Sequence, residues 1–164
     1  MSTSKAVMSE APTGSFLVVN LRGLVNTRAP VRTTLEQMKV GRRFNATIVP
    51  DDKVHRGMLI LVKDHVAWCK LDGETAEKLL KMRSEKSTGN RVSEAELGKD
   101  HPIGDIAKVL ENGSIKLNSV EQIRPFFRLS PPRGGFKRSI RRQFRDGGIL
   151  GPNEDLPKLV EKML

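Results

Sequence analysis

The residues best suited to chemistry in this 164-residue chain are arginines and lysines near its C-terminal end. The run from Arg133 to Arg145 reads RGGFKRSIRRQFR, and residues 124–145 hold eight bases and no acid. Arginine and lysine neutralise phosphates, and glycine lets a polyanion approach the backbone closely. A solvated basic loop without a partner is the alternative, but its like charges would repel one another. The run therefore predicts a phosphate-binding surface, and nucleic acid is the polyanion that fits it best.

The candidate contacts in this region are basic, glycine or aromatic residues. Phe136 can either stack on a base or anchor the segment on the protein body. A membrane surface fits less well, because no amphipathic stripe accompanies the bases. The full set is Arg128, Arg133, Gly134, Gly135, Phe136, Lys137, Arg138, Arg141, Arg142 and Arg145.

A second group of arginines surrounds the first predicted loop and helix. Arg22 and Arg28 flank the loop, Arg32 lies in the first helical turn, and Arg42 and Arg43 follow the helix. Loop backbone and a helix N-terminus beside arginine can bind phosphate. Scattered surface arginines remain the alternative. We count these five residues among the candidate phosphate contacts.

The sequence His55-Arg56-Gly57 opens the second predicted helix. Glycine is a poor helix former, so its presence there needs a reason. A close approach of RNA backbone is one reason, and ordinary packing is the other; both remain open.

Catalytic and metal-binding patterns are weak in this sequence. The three histidines lack metal-ligand spacing, and Cys69 in a predicted strand is better explained as a buried structural thiol. Turn chemistry and helix surface explain Asp51, Asp52 and Asp64. We therefore expect no catalysis, no cofactor, no metal and no small-molecule substrate.

The net charge of +10 is concentrated rather than spread. Residues 1–43 carry +5, 44–123 carry −1, 124–145 carry +8 and 146–164 carry −2. This distribution indicates a basic binding surface in two segments. No apolar run is long enough to span a membrane, no secretory signal is visible, and a single cysteine excludes an intramolecular disulfide. We expect a cytoplasmic protein.

The elements that must position these residues follow from hydrophobic spacing. Residues 15–71 alternate as β-α-β-α-β, with strands at Ser15–Leu21, Phe44–Val49 and Val66–Leu71. Pro30 suits the start of the first helix, whose stripe is Val31, Leu35 and Met38 and which Gly41 can end. The second helix has a predicted core stripe. Its members are Val54, Met58, Leu61 and Val62.

The rest of the chain divides by composition into four further segments. Residues 1–14 read as a disordered tail and 72–123 as a neutral helical extension, with a capping box at Ser93–Glu96 and a helix opened by Pro102. Residues 124–151 read as one brief strand, Phe126–Leu129, followed by the Gly- and Arg-rich extension. Residues 152–164 read as a short closing helix.

Three motifs in order resemble a known family. They are Arg22-Gly-Leu-Val-Asn-Thr27 after the first strand, Arg56-Gly-Met58 at the second helix, and the run from Arg124 to Phe136 that reads RPFFRLSPPRGGF. The chain resembles the large-subunit ribosomal protein counted as thirty in bacteria and seven in eukaryotes. Residues 15–71 correspond to the whole short bacterial form, and the remainder resembles the longer archaeal version.

This resemblance implies both a fold and a function. It implies an α+β, ferredoxin-like core, in which a three-stranded antiparallel sheet of order 3-1-2 carries two helices on one face. A helical insertion and a basic C-terminal extension complete the chain. It also implies binding to large-subunit rRNA, with 5S rRNA nearby and other ribosomal proteins as neighbours. By position, the resemblance assigns RNA contacts to Arg22, Arg28, Arg32, His55 and Arg56. The neutral charge of 72–123 favours a protein-facing or solvent-facing role.

Two other function classes remain open from the sequence. One is a non-ribosomal RNA-binding or RNA-chaperone module. The other is a small-molecule-binding regulatory domain on a ferredoxin-like scaffold, although no convergent polar group supports it. For the ribosomal role we expect the extension to be largely disordered in the free protein and to order on RNA. Residues 134–151 should then have low protease resistance.

Overall fold

The structure is a computed structural model that describes residues 14–86, 89–92, 103–114, 117 and 123–164. Six strands and five α-helices lie within those residues. The strands are β1 Ser15–Asn20, β2 Asn45–Pro50, β3 Val66–Lys70, β4 Phe127–Arg128, β5 Ser139–Gln143 and β6 Gly148–Pro152. The helices are α1 Ala29–Gln37, α2 Lys53–Val62, α3 Gly73–Arg83, α4 Ile103–Glu111 and α5 Leu156–Glu161. The fold class is α+β, as the sequence predicts.

The strands form one mixed sheet in the order β4-β2-β1-β3-β6-β5. β1 lies between β2 and β3 and is antiparallel to both. β4 is antiparallel to β2, whereas β6 is parallel to β3 and to β5. The predicted order 3-1-2 occurs at the centre of this sheet. The prediction of a three-stranded sheet is nevertheless wrong, because three further strands extend it on both sides.

Alternation along β1 gives the sheet two apolar faces. Leu17 and Val19 point into one core and Val18 into another. α1 and α2 cover the Val18 face, as predicted for two helices on one side. Residues of α3, α4 and α5 bury the opposite face. The sheet is therefore covered on both sides, and α3 and α4 have a structural task within the chain itself.

Helix α1 begins as predicted but ends earlier. Pro30 lies in its first turn, where a missing N–H costs nothing, and Leu35 and Met38 are buried. The helix ends at Gln37, and Lys39 takes a left-handed φ of 62°. Gly41 is therefore not the residue that terminates it.

The predicted core stripe of α2 is wrong at two positions. Val62 is buried and Met58 half-buried, but Val54 and Leu61 are exposed. Leu59 occupies the core position instead. The helix is apolar on more than one side, so its hydrophobic spacing alone did not indicate which side faces the sheet.

The segment after β3 is partly helical, as expected. Leu79 and Leu80 of α3 are buried, and Ser15 Oγ donates to the carbonyl oxygen of Leu110 at 2.5 Å, which ties α4 to β1. The predicted tail at 1–13, the capping box at Ser93–Glu96 and Pro102 lie outside the described residues.

The C-terminal segment differs most from the prediction. Residues 124–151 contribute three strands rather than one, and Ile149 and Leu150 of β6 are buried in the main core. Residues 148–151 were expected to be disordered, but they form strand β6, which pairs with β3 and β5. The C-terminal segment ends with α5, in which Leu156 and Val160 are buried.

Candidate nucleic-acid interface

The strand pairing gathers three chain segments at one end of the sheet. Val19 pairs with Ala46 and Asn20 pairs with Val66. The loop that leaves β1, the residues that enter β2 and the turn that enters β3 therefore meet there. We call this the basic end, because Arg22, Arg28, Arg42 and Arg43 flank these strand ends.

The loop after β1 is shaped by a buried asparagine. Asn20 Oδ1 accepts hydrogen bonds from the backbone N–H groups of Arg22 at 3.1 Å and Gly23 at 2.8 Å. Asn20 Nδ2 donates to the carbonyl oxygen of Val40 at 2.7 Å. A φ of 78° at Gly23 suits glycine. The loop backbone is thus fixed from inside, while the Arg22 side chain remains exposed.

Two arginine side chains connect the segments of the basic end. Arg43 Nε donates to the carbonyl oxygen of Leu21 at 3.0 Å. Arg22 Nη1 donates to the carbonyl oxygen of Asp64 at 3.1 Å. Both arginines are exposed residues, so these contacts orient charge that still faces solvent.

An aromatic stack joins the basic extension to the body. The rings of Phe44 and Phe136 are stacked with centroids 6.1 Å apart, and the Arg43 guanidinium lies 4.6 Å from the Phe44 ring centroid. Phe44 takes a φ of 64°, which turns the chain into β2. Phe136 was predicted either to stack on a base or to anchor the segment on the protein body. In the structure its ring packs against the protein body.

The residues before and after Phe136 form an open basic surface. The N–H of Gly135 donates to the carbonyl oxygen of Pro132 at 2.9 Å, and Gly134 has a φ of 82°, so Pro132–Gly135 is a tight turn with glycine where φ must be positive. No described atom lies within 4 Å of a Cβ placed at Gly134 or Gly135. Arg133 and Lys137 on either side are exposed.

Strand β5 extends the basic end. Gln143 pairs with Leu150, and Gly151 pairs with Ala67, so Gln143 stands level with the start of β3. Residues 139–142 therefore lie beyond the start of β3, with Arg141 and Arg142 exposed. Gln143 Nε2 donates to Asp64 Oδ1 at 3.1 Å. This hydrogen bond joins the extension to the turn that also receives Arg22.

Other predicted residues of the extension have contacts of their own. Arg138 lies 5.2 Å from the Phe144 ring centroid and 3.6 Å from Asp155 Oδ2. Arg128 of β4 pairs with Asn45 at the entry of β2. Arg145 is exposed in a 3-10 turn, Phe144–Asp146.

His55 and Arg56 lie at the opposite end of the sheet, because α2 begins after β2 has crossed it. Arg56 Nη2 donates to Asp51 Oδ2 at 2.8 Å, and this pairing lowers the pKa of Asp51. His55 Nδ1 stands 3.4 Å from Asp52 Oδ2. Their predicted RNA contact is not adjacent to the basic end.

Arg32 belongs to the basic end by position but is partly engaged. It lies in the first turn of α1, and its Nε stands 3.1 Å from Glu36 Oε1, with both side chains more than half exposed. An exposed pair of this kind is weak, so a phosphate can compete for the guanidinium.

Two titratable groups near the sheet have shifted pKa values. Burial and the neighbouring Arg22 lower the pKa of His65, whose Nε2 stands 3.2 Å from Thr27 Oγ1. Burial, with a contribution from Asp72, raises the pKa of Cys69 to about 12. The Cys69 thiol is therefore protonated at neutral pH and is a poor nucleophile.

Within the ranges that the structure describes, no cluster of three or more His, Cys, Asp or Glu side chains is arranged to hold a metal ion. Among the same residues, no helix combines the length and apolar character needed to cross a bilayer.

Proteins of known name match the chain along almost its whole length. It is 35% identical over 153 residues to the large ribosomal subunit protein uL30 of Cenarchaeum symbiosum. The matched region covers 92% of this chain and 99% of that protein. It is 36% identical over 151 residues to uL30 of Korarchaeum cryptofilum, with 90% and 93% covered. For uL30 of Archaeoglobus fulgidus the identity is 34% over 152 residues, with 90% and 99% covered.

The chain belongs to the uL30 family. This confirms the resemblance seen in its three sequence motifs. Comparison with protein-family models gave no match.

Sequence reasoning missed three residues that organise the basic end of this uL30 chain. The sequence explains Asp64 by turn chemistry and helix surface, and Gln143 and Phe44 are not among the predicted contacts. The sequence carries no signal at Asp64, because the nearest predicted contacts, His55 and Arg56, lie on the other side of a helix. Phe44 does carry a signal, since it directly follows Arg42 and Arg43 and precedes a strand.

Proposed function

We propose that this chain is a structural constituent of the large ribosomal subunit in the cytoplasm and binds large-subunit rRNA through the basic end of its sheet. The observation that carries the proposal is the meeting of the two basic segments at one place. Hydrogen bonds from Arg22 and Gln143 both end on Asp64. Membership of the uL30 family supports the choice of rRNA as the polyanion.

The proposed contacts are the exposed basic residues at that end and the two glycines of the open turn. Phosphates would be bound by arginine side chains around a fixed loop and by the open turn at Gly134 and Gly135. Contacts to phosphate position the protein without reading base sequence. The proposed set is Arg22, Arg28, Arg32, Arg42, Arg43, Arg128, Arg133, Gly134, Gly135, Lys137, Arg138, Arg141, Arg142 and Arg145.

His55 and Arg56 are left out of this surface. They lie at the other end of the sheet, and the Arg56 guanidinium is engaged with Asp51. Phe136 serves the surface indirectly, since its ring packs on Phe44 and holds the turn in place.

The role we propose is positional rather than catalytic. A compact body with a rigid basic surface can hold rRNA segments together, and no chemistry at a reacting atom is needed. The family resemblance adds 5S rRNA as a nearby molecule and other ribosomal proteins as neighbours. Cross-linking from Arg141 in assembled subunits, followed by identification of the attached RNA, tests the 5S part separately.

Sedimentation tests the proposal. Tagged full-length chain is produced in an archaeal host, and the lysate is washed in high salt and separated on a sucrose gradient. We expect co-migration with large subunits. The variant Arg22→Gln/Arg28→Gln should be retained less than the control Lys70→Gln/Lys108→Gln, which removes the same charge elsewhere. Wild-type chain at the top of the gradient after the wash would instead support a non-ribosomal RNA-binding protein.

A further inference from the structure

Helix α2 exposes large aliphatic side chains to solvent. Val54 is 66% exposed, Ile60 66% and Leu61 49%. Residues three and four apart share a helix face, so Val54, Gly57, Ile60 and Leu61 form one strip. The opposite side of the same helix is buried through Leu59 and Val62. A helix that is apolar on both sides is expected to be covered on both sides.

Gly57 makes a notch in the middle of this strip. No described atom lies within 4 Å of a Cβ placed there, so packing within the described part of the chain does not require glycine. Glycine in a helix interior costs about 0.5–1 kcal/mol relative to alanine. A reason for it outside the chain is therefore needed, and close approach of a partner's backbone supplies one.

The charges around the strip are balanced, unlike those of the basic end. Residues 51–64 contain three aspartates and three bases, Lys53, Arg56 and Lys63. Arg56 is paired with Asp51, and the pair leaves little charge for a polyanion. An rRNA groove is rich in phosphate and is a poor match for a neutral aliphatic strip.

We propose that the Val54–Gly57–Ile60–Leu61 strip docks a neighbouring protein of the large subunit. This rests on the proposed ribosomal function. The partner would present apolar side chains with a rim of both charge signs, and its backbone would approach at Gly57. A second copy of this chain fits poorly, because two molecules of charge +10 repel each other.

Photo-cross-linking in assembled subunits tests the docking surface directly. Benzoylphenylalanine replaces Ile60 in the full chain, and washed large subunits are irradiated. We expect a protein adduct that survives nuclease and is lost with protease. A nuclease-sensitive rRNA adduct, or an adduct of twice the chain's mass, would overturn the proposal. The same probe at Met82, which is exposed on α3, serves as the control for labelling without docking.

Substitutions separate this surface from the rRNA contact. Ile60→Ser/Leu61→Ser should leave the affinity for protein-free rRNA within twofold and lower retention on washed subunits at least threefold. Gly57→Ala should not lower the melting temperature, since the added methyl meets nothing, yet should also lower retention. Unchanged retention in both variants, or an equal loss on protein-free rRNA, would contradict protein docking. Failure of wild-type chain to bind rRNA at all would contradict the proposed function instead.

Discussion

Gln143 donates a hydrogen bond from Nε2 to Asp64 Oδ1 at 3.1 Å across 79 positions of sequence. The carbonyl oxygen of the same aspartate accepts a hydrogen bond from Arg22 Nη1 at 3.1 Å. One acidic residue thus joins the loop after β1 to the basic strand β5. The negative charge of Asp64 disfavours binding of a polyanion. We therefore infer that Asp64 contributes by holding the loop and the strand in position.

Replacing Asp64 tests this geometric role. Asp64→Ala removes the bond to Gln143 and leaves the carbonyl that Arg22 uses. Simple electrostatics predicts tighter rRNA binding, because a negative charge is lost. We expect weaker binding by about three- to tenfold, since one hydrogen bond contributes roughly 0.5–1.5 kcal/mol. Titration of protein-free rRNA with the variant shows whether the affinity falls or rises.

Asp146→Ala is the matched control for that change. It removes the same charge from the neighbouring 3-10 turn, where the residue is exposed. Its affinity should stay equal to that of wild type or rise. If Asp64→Ala behaves like Asp146→Ala, the aspartate does not position the surface.

The centre of the fold was predictable because its elements each have a clear period. β1, β2 and β3 alternate or run apolar, and Pro30 marks the start of a helix with buried Leu35 and Met38. The arginines around these elements were predicted as a group, and the strand register places most of them at one end. The sequence alone did not show that His55 and Arg56 lie far from the other predicted contacts, at the opposite end of the sheet.

Strands β5 and β6 were not predictable from local pattern. β5 reads SIRRQ, with a single apolar residue, and β6 has only Ile149 and Leu150 between glycine residues. The strand conformation of β6 depends on pairing with β3, which lies some eighty residues earlier, and β5 in turn pairs with β6. The face of α2 that meets the sheet was ambiguous for a related reason, since both of its sides are apolar.

Gly148 should be required for the pairing of β5 with β6. A Cβ there would collide with the carbonyl group of Arg142, because β5 bulges opposite β6. Gly148→Ala should destabilise the protein by about 1–3 kcal/mol, as overpacking does. Thermal melting measures this, and trypsin should cut sooner at Arg141 and Arg142. The control Gly104→Ala meets no atom within 4 Å and should not destabilise. Equal melting temperatures for the two variants would show that β5 is not held as described.

The Phe44–Phe136 stack should matter more for RNA binding than its size suggests. Phe136→Ala removes an aromatic pair worth about 0.5–1.5 kcal/mol and frees the turn at Gly134 and Gly135. We expect a modestly lower melting temperature and a several-fold weaker affinity for rRNA. Phe136→Leu should restore the melting temperature more fully than it restores the affinity for rRNA. Full affinity in Phe136→Ala would mean that the turn needs no anchor.

Stability should depend on pH through His65. Burial and Arg22 lower its pKa in the folded state below the ordinary 6.5, so between those two values the unfolded chain binds more protons. The associated stabilisation is therefore present above pH 6.5 and declines as the pH falls below it. The melting temperature of wild type should fall more than that of His65→Gln between about pH 6.5 and pH 5. Parallel pH profiles for the two proteins would exclude His65 as the cause.

The salt dependence of rRNA binding reports how many phosphates β5 contacts. A surface that neutralises about six phosphates gives a slope of log K against log salt of about −4 to −5.4. Arg141→Gln/Arg142→Gln keeps polar side chains on the strand and should flatten the slope by about 1.4–1.8, at 0.7–0.9 per phosphate. Lys108→Gln/Lys158→Gln removes the same charge from α4 and α5 and should leave the slope unchanged. A loss of affinity at constant slope in the arginine variant would indicate that those two side chains shape the surface without touching phosphate.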